Sequence, residues 1–424
     1  MELSFTARNV LIGATLLGAL GGLLGSFALL RRQSLLGDAL AHAALPGVCL
    51  AYLLTGAKTP LPLFAGALAA GLLGSLLILA IVRWSRVKED SAIGIILSVF
   101  FGVGIVLLTH IQRLPSGNQS GLDKYLFGQA ATLVVQDLQV MAVLGTVVLA
   151  AVLVFFKEFK LISFDPGFAA SLGVPVRRLE VLLTLLLVVV VVVGLQTVGV
   201  VLIVATLITP AAAARQWTDR LGTMVALSAG IGALAGVAGS LASATVPRLP
   251  TGPVIVLVSS TVLIVSLLFA PGRGLLWGIL RERRLAARIR SENLLKDLYR
   301  MSEEAGDFAV YFTWPHLMGV RGQSAVELER SAGPLLAQGL AERSGDALRL
   351  TEAGRREAGN VVRKHRLWEV YLTRRLELPV DHVHRDAEAM EHALTDAAVD
   401  NIEELLGFPG VDPHGRPIPA RRTV

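Results

Sequence analysis

Eight side chains in this 424-residue sequence combine the types and spacing that metal coordination requires. Six lie near the C-terminus. His365 and Glu369 are four residues apart, on one face of a helix. His384, Glu388, Glu391 and His392 stand at i, i+4, i+7 and i+8, again on one helical face. If the two helices pack antiparallel across Leu378-Pro379-Val380, three imidazoles and three carboxylates converge. Mixed nitrogen and oxygen donors suit Mn, Fe or Zn rather than a thiolate-rich site. The plainer alternative is a pair of solvated helix faces with salt bridges to Arg363, Lys364 and Arg385.

The other two are Asp38 and His42. Asp38 opens an otherwise apolar stretch, and His42 follows one turn later on the same face. Ionisable groups at membrane depth are costly and mark ion paths. A carboxylate oxygen with an imidazole nitrogen suits the same three metals. Two ligands are too few for a closed site. A weak transit site, completed by a symmetry-related copy across a dimer axis, would release its ion readily. The plainer alternative has Asp38 capping the helix and His42 making an interhelical hydrogen bond.

The elements that must position these residues fall into two kinds. Up to about residue 275 the chain is long apolar runs cut by short polar loops, and from about 281 it has the mixed charge of a soluble protein. The first 280 residues hold 17 Lys and Arg against 10 Asp and Glu; the remainder holds 22 against 23. The basic balance therefore belongs to the apolar half and is no argument for nucleic acid. A membrane span needs about 20 apolar residues. Spans are expected at 9–30, 38–54, 61–82, 91–109, 132–156, 222–243 and 253–270. The stretch 180–213 is too long for one span and is expected to break at Gly194-Leu195-Gln196-Thr197, as two short helices or a helix plus a re-entrant segment. That makes eight or nine spans.

The first apolar run ends in Arg31-Arg32 rather than at a small-residue cleavage site, so no signal peptide is expected. Alternating the loops puts twelve Lys and Arg on one side, among them Arg31, Arg83, Lys157 and Arg215, against five on the other. The positive-inside rule makes the first side cytoplasmic. The C-terminal half follows it there, in a chain that is multi-pass in the inner (plasma) membrane with lipid around it. The single cysteine, Cys49, excludes an internal disulfide and reads as a small core residue.

Beyond a linker at 276–287, a helix is expected over 286–301. Mainly helical chain follows over 303–345, with turns near Arg321-Gly322-Gln323 and Gly333-Pro334. A small hairpin turns at Ser344-Gly345-Asp346. Long helices are expected over Glu352–Leu376 and His384–Leu406. Helices followed by one hairpin suggest a winged helix-turn-helix over 288–358. A helical metal-binding and dimerisation module then occupies 359–419. The stretch 324–342 carries Glu327, Glu329 and Glu342 against Arg330, poor chemistry for phosphate contacts. DNA is not an expected partner.

Leu30 through Gly47, which contains Asp38 and His42, resembles the opening signature of the metal-ion ABC permease family, which serves manganese, zinc and iron importers. Tyr125-Leu126-Phe127-Gly128-Gln129 and Gly199 through Arg215 also look like segments of that family, and the likeness spans about residues 8–272. It implies an all-α polytopic permease over 1–275, similar to the vitamin B12-type importers. It further implies Asp38 and His42 lining the path, a separate ABC ATPase subunit, an extracytoplasmic metal-binding protein, and pairing with itself or a second permease. Such a chain is no enzyme. A GxxxxGK[ST] loop is absent from the sequence, so nucleotide is expected on the partner. The loop from Phe164 to Pro175 fits the family's ATPase-docking helix, with Asp165, Pro166, Ala169, Ala170 and Gly173 as its expected coupling residues. Locally, Asp165-Pro166 is a helix start and Gly173 a stop.

The segment 288–419 resembles metal-dependent repressors of the diphtheria-toxin-repressor type. Lys364 through Glu369, Val383 through His392 and Gly410 through Pro419 carry the likeness. It implies metal ligation by residues at the positions of His365, Glu369, His384, Glu388, Glu391 and His392. Glu at 388 is the manganese-responsive choice, which favours manganese as the divalent substrate and regulator. Two further ligand positions of that family fall on Asn293 and Lys296, which leaves at least one site incomplete. The combined expectation is a metal importer permease with a sensor-like module. The rival is a membrane-tethered metal-dependent transcription regulator.

Overall fold

The computed structural model describes residues 5–56, 60–113, 133–197, 199–246, 249–379, 383–392 and 394–420. The chain divides into two compact units, Met1–Gly278 and Ile279–Val424.

The first unit is helical throughout its described length. Its helices are α1 (Phe5–Leu30), α2 (Leu36–Thr55), α3 (Pro60–Trp84), α4 (Glu89–Gln112), α5 (Val135–Val154), α6 (Phe156–Phe164) and α7 (Pro166–Ser171). They continue with α8 (Val176–Thr197), α9 (Val200–Trp217), α10 (Leu221–Thr245) and α11 (Thr251–Phe269). Eight helices among the described residues are long and apolar enough to cross a membrane: α1 to α5, α8, α10 and α11. All seven separately expected spans are there as helices. Tyr125 through Gln129 lies outside the described residues.

Burial sorts these helices. Along α8, Val188 and Val190 through Val193 are all buried, so this run is apolar because it is surrounded by other helices. On α4 and α5, Val99, Val106, Val143 and Leu153 are exposed, as lipid-facing positions are when no water is present. At the centre α1 packs against α10 with backbones in contact. A Cβ on Gly18 would lie 2.1 Å from the Gly232 carbonyl oxygen. Small residues allow that approach, which in lipid replaces the hydrophobic drive between helices. The Ser228 hydroxyl donates across the same contact to the Gly22 carbonyl at 2.6 Å.

The long apolar stretch does resolve into two helices, but the break falls later than expected. Gly194 through Thr197 stay helical, and the turn is made at Gly199, with φ of +83°. Gly194 instead gives room to the next helix: a Cβ there would stand 2.1 Å from Ile203 Cδ1. The glycine that looked like a hinge is a packing notch.

The second unit begins within α12 (Leu275–Ala305), which runs through the expected linker at 276–287 as helix. It continues with β1 (Phe312–Thr313), α13 (Trp314–Arg321), α14 (Ala325–Ala337), β2 (Ala341–Ser344), β3 (Ala347–Leu350), α15 (Glu352–Arg375), α16 (Val383–Met390) and α17 (Asp396–Leu405). The strands form one antiparallel sheet in the order β1-β3-β2. Helices and hairpin surround a core of Leu294, Leu298, Trp314, Leu328 and Leu348, the winged-helix arrangement. The expected turn at Gly333-Pro334 is not there. Pro334 sits inside α14, whose start is secured by a capping box between Ser324 and Glu327. The single helix expected over 384–406 is two, because Thr395 caps a new helix by accepting from the Ala398 amide.

Candidate metal-ligand clusters

Asp38 and His42 lie in the first two turns of α2, which packs mainly against α3 and α4. His42 Nε2 stands 3.4 Å from Asp38 Oδ1, so the helical spacing does bring the two groups together. Neither plainer alternative describes them. The N-cap of α2 is Leu35, and no side chain caps it. His42 Nδ1 is buried without a hydrogen-bond partner among the described residues. The edge of the imidazole meets the Phe101 ring at 4.7 Å between centroids, which holds its plane. A buried imidazole nitrogen with no partner costs about 1–3 kcal/mol. A lone pair on such a nitrogen is chemically able to take a cation. The carboxylate beside it supplies the charge.

The loop expected to dock on an ATPase is built as its residues suggest. Asp165 caps α7 by accepting from the Phe168 amide at 2.8 Å, with Pro166 at the first helical position. Gly173 leaves the helix with φ of +78°. Ala169 is buried and anchors the short helix, while Ala170 faces outward. Phe164, Phe168 and Leu172 are each more than half exposed: three large apolar side chains on a polar loop.

The C-terminal cluster is a different object. His365 and Glu369 share a face of α15, at 3.1 Å from Nε2 to Oε1. His365 Nδ1 reaches Glu391 Oε2 at 2.5 Å, so α15 and the end of α16 do converge. Glu391 continues the helical hydrogen bonding, its amide donating to Ala387 at 3.0 Å, and His392 lies in the turn beyond. The side chain of His384 is outside the described residues; its backbone is part of α16.

Cations already occupy this convergence. Lys296 on α12 is buried, and its Nζ donates to Glu391 Oε1 at 2.6 Å and lies 3.6 Å from Glu388. Arg321 donates to Glu388 at 2.8 Å and forks onto Asp297 at 2.5 and 3.1 Å. His392 Nδ1 pairs with Glu292 at 2.6 Å, and its Nε2 lies 3.2 Å from Asn293 Oδ1 and 3.3 Å from Glu391. Burial works against the imidazolium of His365, but hydrogen bonds to Glu369 and Glu391 outweigh it and raise its pKa above the ordinary value.

Among the described residues no group of three or more His, Cys, Asp or Glu is arranged to hold a metal ion. Of the six expected ligands, His365, Glu369, Glu391 and His392 are brought into mutual contact, and Glu388 joins them through Lys296. Glu388, Glu391 and His392 do not fit a divalent ion while Lys296 stands between them. His365 and Glu369 keep donors of the right type on the other side of Glu391. The expected salt-bridge partners differ as well: Arg363 pairs with Glu403, and Lys364 with Asp396 at 2.8 Å. Glu292, Asp297 and Arg321 had no sequence signal. Asn293 and Lys296 had one, as mismatches to the repressor pattern.

Comparison with known proteins follows the same division. Residues 4–270 match the ABC 3 transport family, and residues 351–420 match the iron dependent repressor, metal binding and dimerisation domain. The chain is 47% identical over 371 residues to the manganese transport system membrane protein MntC of Bacillus subtilis, covering 87% of this chain and 84% of that protein. It is 48% identical over 282 residues to the zinc transport system membrane protein TroC of Treponema pallidum, covering 66% of this chain and 95% of that one. The structure of PsaBC from Streptococcus pneumoniae in complex with Fab superposes with a TM-score of 0.57 at 36% identity, over 63% of this chain and 93% of that chain. The half-buried Asp38–His42 pair therefore lies within a membrane permease, and the chain belongs to the ABC 3 transport family, with a repressor-like C-terminal domain.

Proposed function

We propose that this chain is the permease subunit of an importer that moves a divalent transition metal into the cytoplasm, with manganese favoured over iron or zinc. The observation that carries the reading is the pair on α2. Asp38 supplies a carboxylate, and His42 presents a buried nitrogen that has no partner among the described residues. One carboxylate and one imidazole per chain bind weakly, and a second permease copy would complete the coordination. Weak binding suits transit, because an ion held by a full cage would not leave. Relatives named for manganese and for zinc transport support the ion class.

A separate ABC ATPase supplies the energy and docks on α7, where Phe164, Phe168 and Leu172 offer an apolar face. An extracytoplasmic metal-binding protein delivers the ion. The excess of Lys and Arg on one set of loops supports a cytoplasmic side of the plasma membrane for α7 and the C-terminal unit. His365, Glu369 and His384 are the positions through which cytosolic metal would bias the transporter towards rest.

The rival, a membrane-tethered transcription regulator, has weaker support. Glu327 and Glu329 lie on α14, and Arg343 is tied to Glu329 at 3.1 Å. Phosphate contact needs free cationic and hydroxyl groups.

The test is metal uptake in cells expressing the chain with its ATPase and binding protein. The Asp38→Asn, His42→Ala double variant is expected to lose uptake while reaching the membrane normally. Full uptake by that variant, or its loss of a transcriptional response with transport intact, would sink the proposal.

A further inference from the structure

The buried ammonium of Lys296 lies where two carboxylates and an imidazole of the C-terminal cluster meet. It is 1% exposed, and its Nζ stands 2.6 Å from Glu391 and 3.6 Å from Glu388. Glu391 in turn lies 3.3 Å from His392 Nε2 and 2.5 Å from His365 Nδ1. Arg321 contacts Glu388 from another direction at 2.8 Å. An ammonium has three donors and no acceptor, so it is no ligand. Its fixed charge repels a second cation at close range, and burial weakens the solvent screening that would soften the repulsion.

The balance explains why each group tolerates burial. Removed from water, Glu391 needs a cation and Lys296 needs a carboxylate; neither is stable there alone. The three side chains that would donate to a metal are all engaged. His392 is engaged at both nitrogens, by Glu292 on one side and by Asn293 and Glu391 on the other. Glu391 accepts from Lys296 through one oxygen and pairs with His365 through the other. Glu388 Oε1 accepts from Arg321.

We propose that Lys296 is a tethered cation that replaces a divalent metal at Glu388, Glu391 and His392, so that this cluster assembles without metal and binds none. The C-terminal domain is then held together here by a charge that cannot dissociate. Of the expected ligands, His365, Glu369 and His384 then remain for any response of the domain to cytosolic metal. The inference stands apart from the transport reading, since Asp38 and His42 play no part in it.

The test uses the full-length chain in detergent, carrying Asp38→Asn and His42→Ala so that the transit pair does not contribute. The probe is Mn(II), counted per chain at equilibrium after chelation and dialysis. The background chain and a further His392→Ala variant are expected to bind equal amounts. Lys296→Glu is expected to gain one Mn(II) per chain, with a melting transition that Mn(II) raises and chelator lowers. A loss of one Mn(II) per chain on His392→Ala overturns the proposal. So does a folded Lys296→Glu chain that gains none. If Lys296→Glu does not fold even with Mn(II) present, the His392→Ala comparison decides alone: equal binding supports the tethered cation, and a lost ion refutes it.

Discussion

The chain carries two clusters of metal-ligand side chains, and they differ in whether their charge is already balanced. In the membrane unit, His42 keeps a buried nitrogen without a partner among the described residues, and Asp38 meets His42 one turn away. In the C-terminal unit, Glu391 alone meets Lys296, His365 and His392. The residue types are the same. The first cluster is two ligands short of a closed tetrahedral site, and the proposed role leaves it for an ion in transit. The second has more ligands and offers them to internal cations. Ligand identity therefore sets what a cluster could bind, and the surrounding charge decides whether it does.

That contrast can be broken experimentally. The largest effect is expected at the membrane pair: Asp38→Asn with His42→Ala should reduce metal uptake to background, whereas His392→Ala should leave initial uptake near normal. Equal losses from both would erase the distinction. Next, Lys296→Met removes the buried cation and leaves Glu391 short of a partner. Breaking a buried pair costs about 3–5 kcal/mol, so the C-terminal unit should unfold earlier in a denaturant titration, with or without chelator. A destabilisation seen only with chelator present would mean that a metal, rather than the lysine, balances the cluster.

Smaller effects sharpen the picture. Phe168→Asp puts a charge on the apolar face of α7 and should cut uptake several-fold by weakening ATPase binding, measured by co-purification. Binding of Mn(II) to the permease should not change. The smallest effect is expected at Arg343→Ala. Its pairing with Glu329 at 3.1 Å lies between exposed side chains, where such pairs contribute about 0–1 kcal/mol. A shift in the melting transition as large as that of Lys296→Met would show that exposure does not separate the two pairs.

Much of the architecture was legible before any coordinates. The spans followed from apolar length, since a backbone in lipid has little choice but to be helical. The helix at Pro166 followed from local capping, and so did the β2–β3 hairpin, whose two-residue turn places Gly345 at φ of +56°. The misses share a cause. Gly194 and Pro334 looked like breaks because each is a poor helix former by itself. Both stayed helical, and at Gly194 the missing Cβ is what admits Ile203. Strand β1 has two residues, too few to show a periodicity.

By itself, the sequence determined that the membrane-crossing helices lie in the first 270 residues and that the mixed-charge part follows them. It also placed Asp38 with His42, and His365 with Glu369, on shared helix faces. These are properties of length, hydropathy and a 3.6-residue period, which need no knowledge of distant chain. Only the tertiary structure decided what stands beside those faces. Lys296 stood out in the sequence as a mismatch to the repressor pattern, yet nothing there told that it is buried against Glu391, 95 residues away. The energy that holds a buried charge lies in its partner, and no local pattern reports where the partner will be.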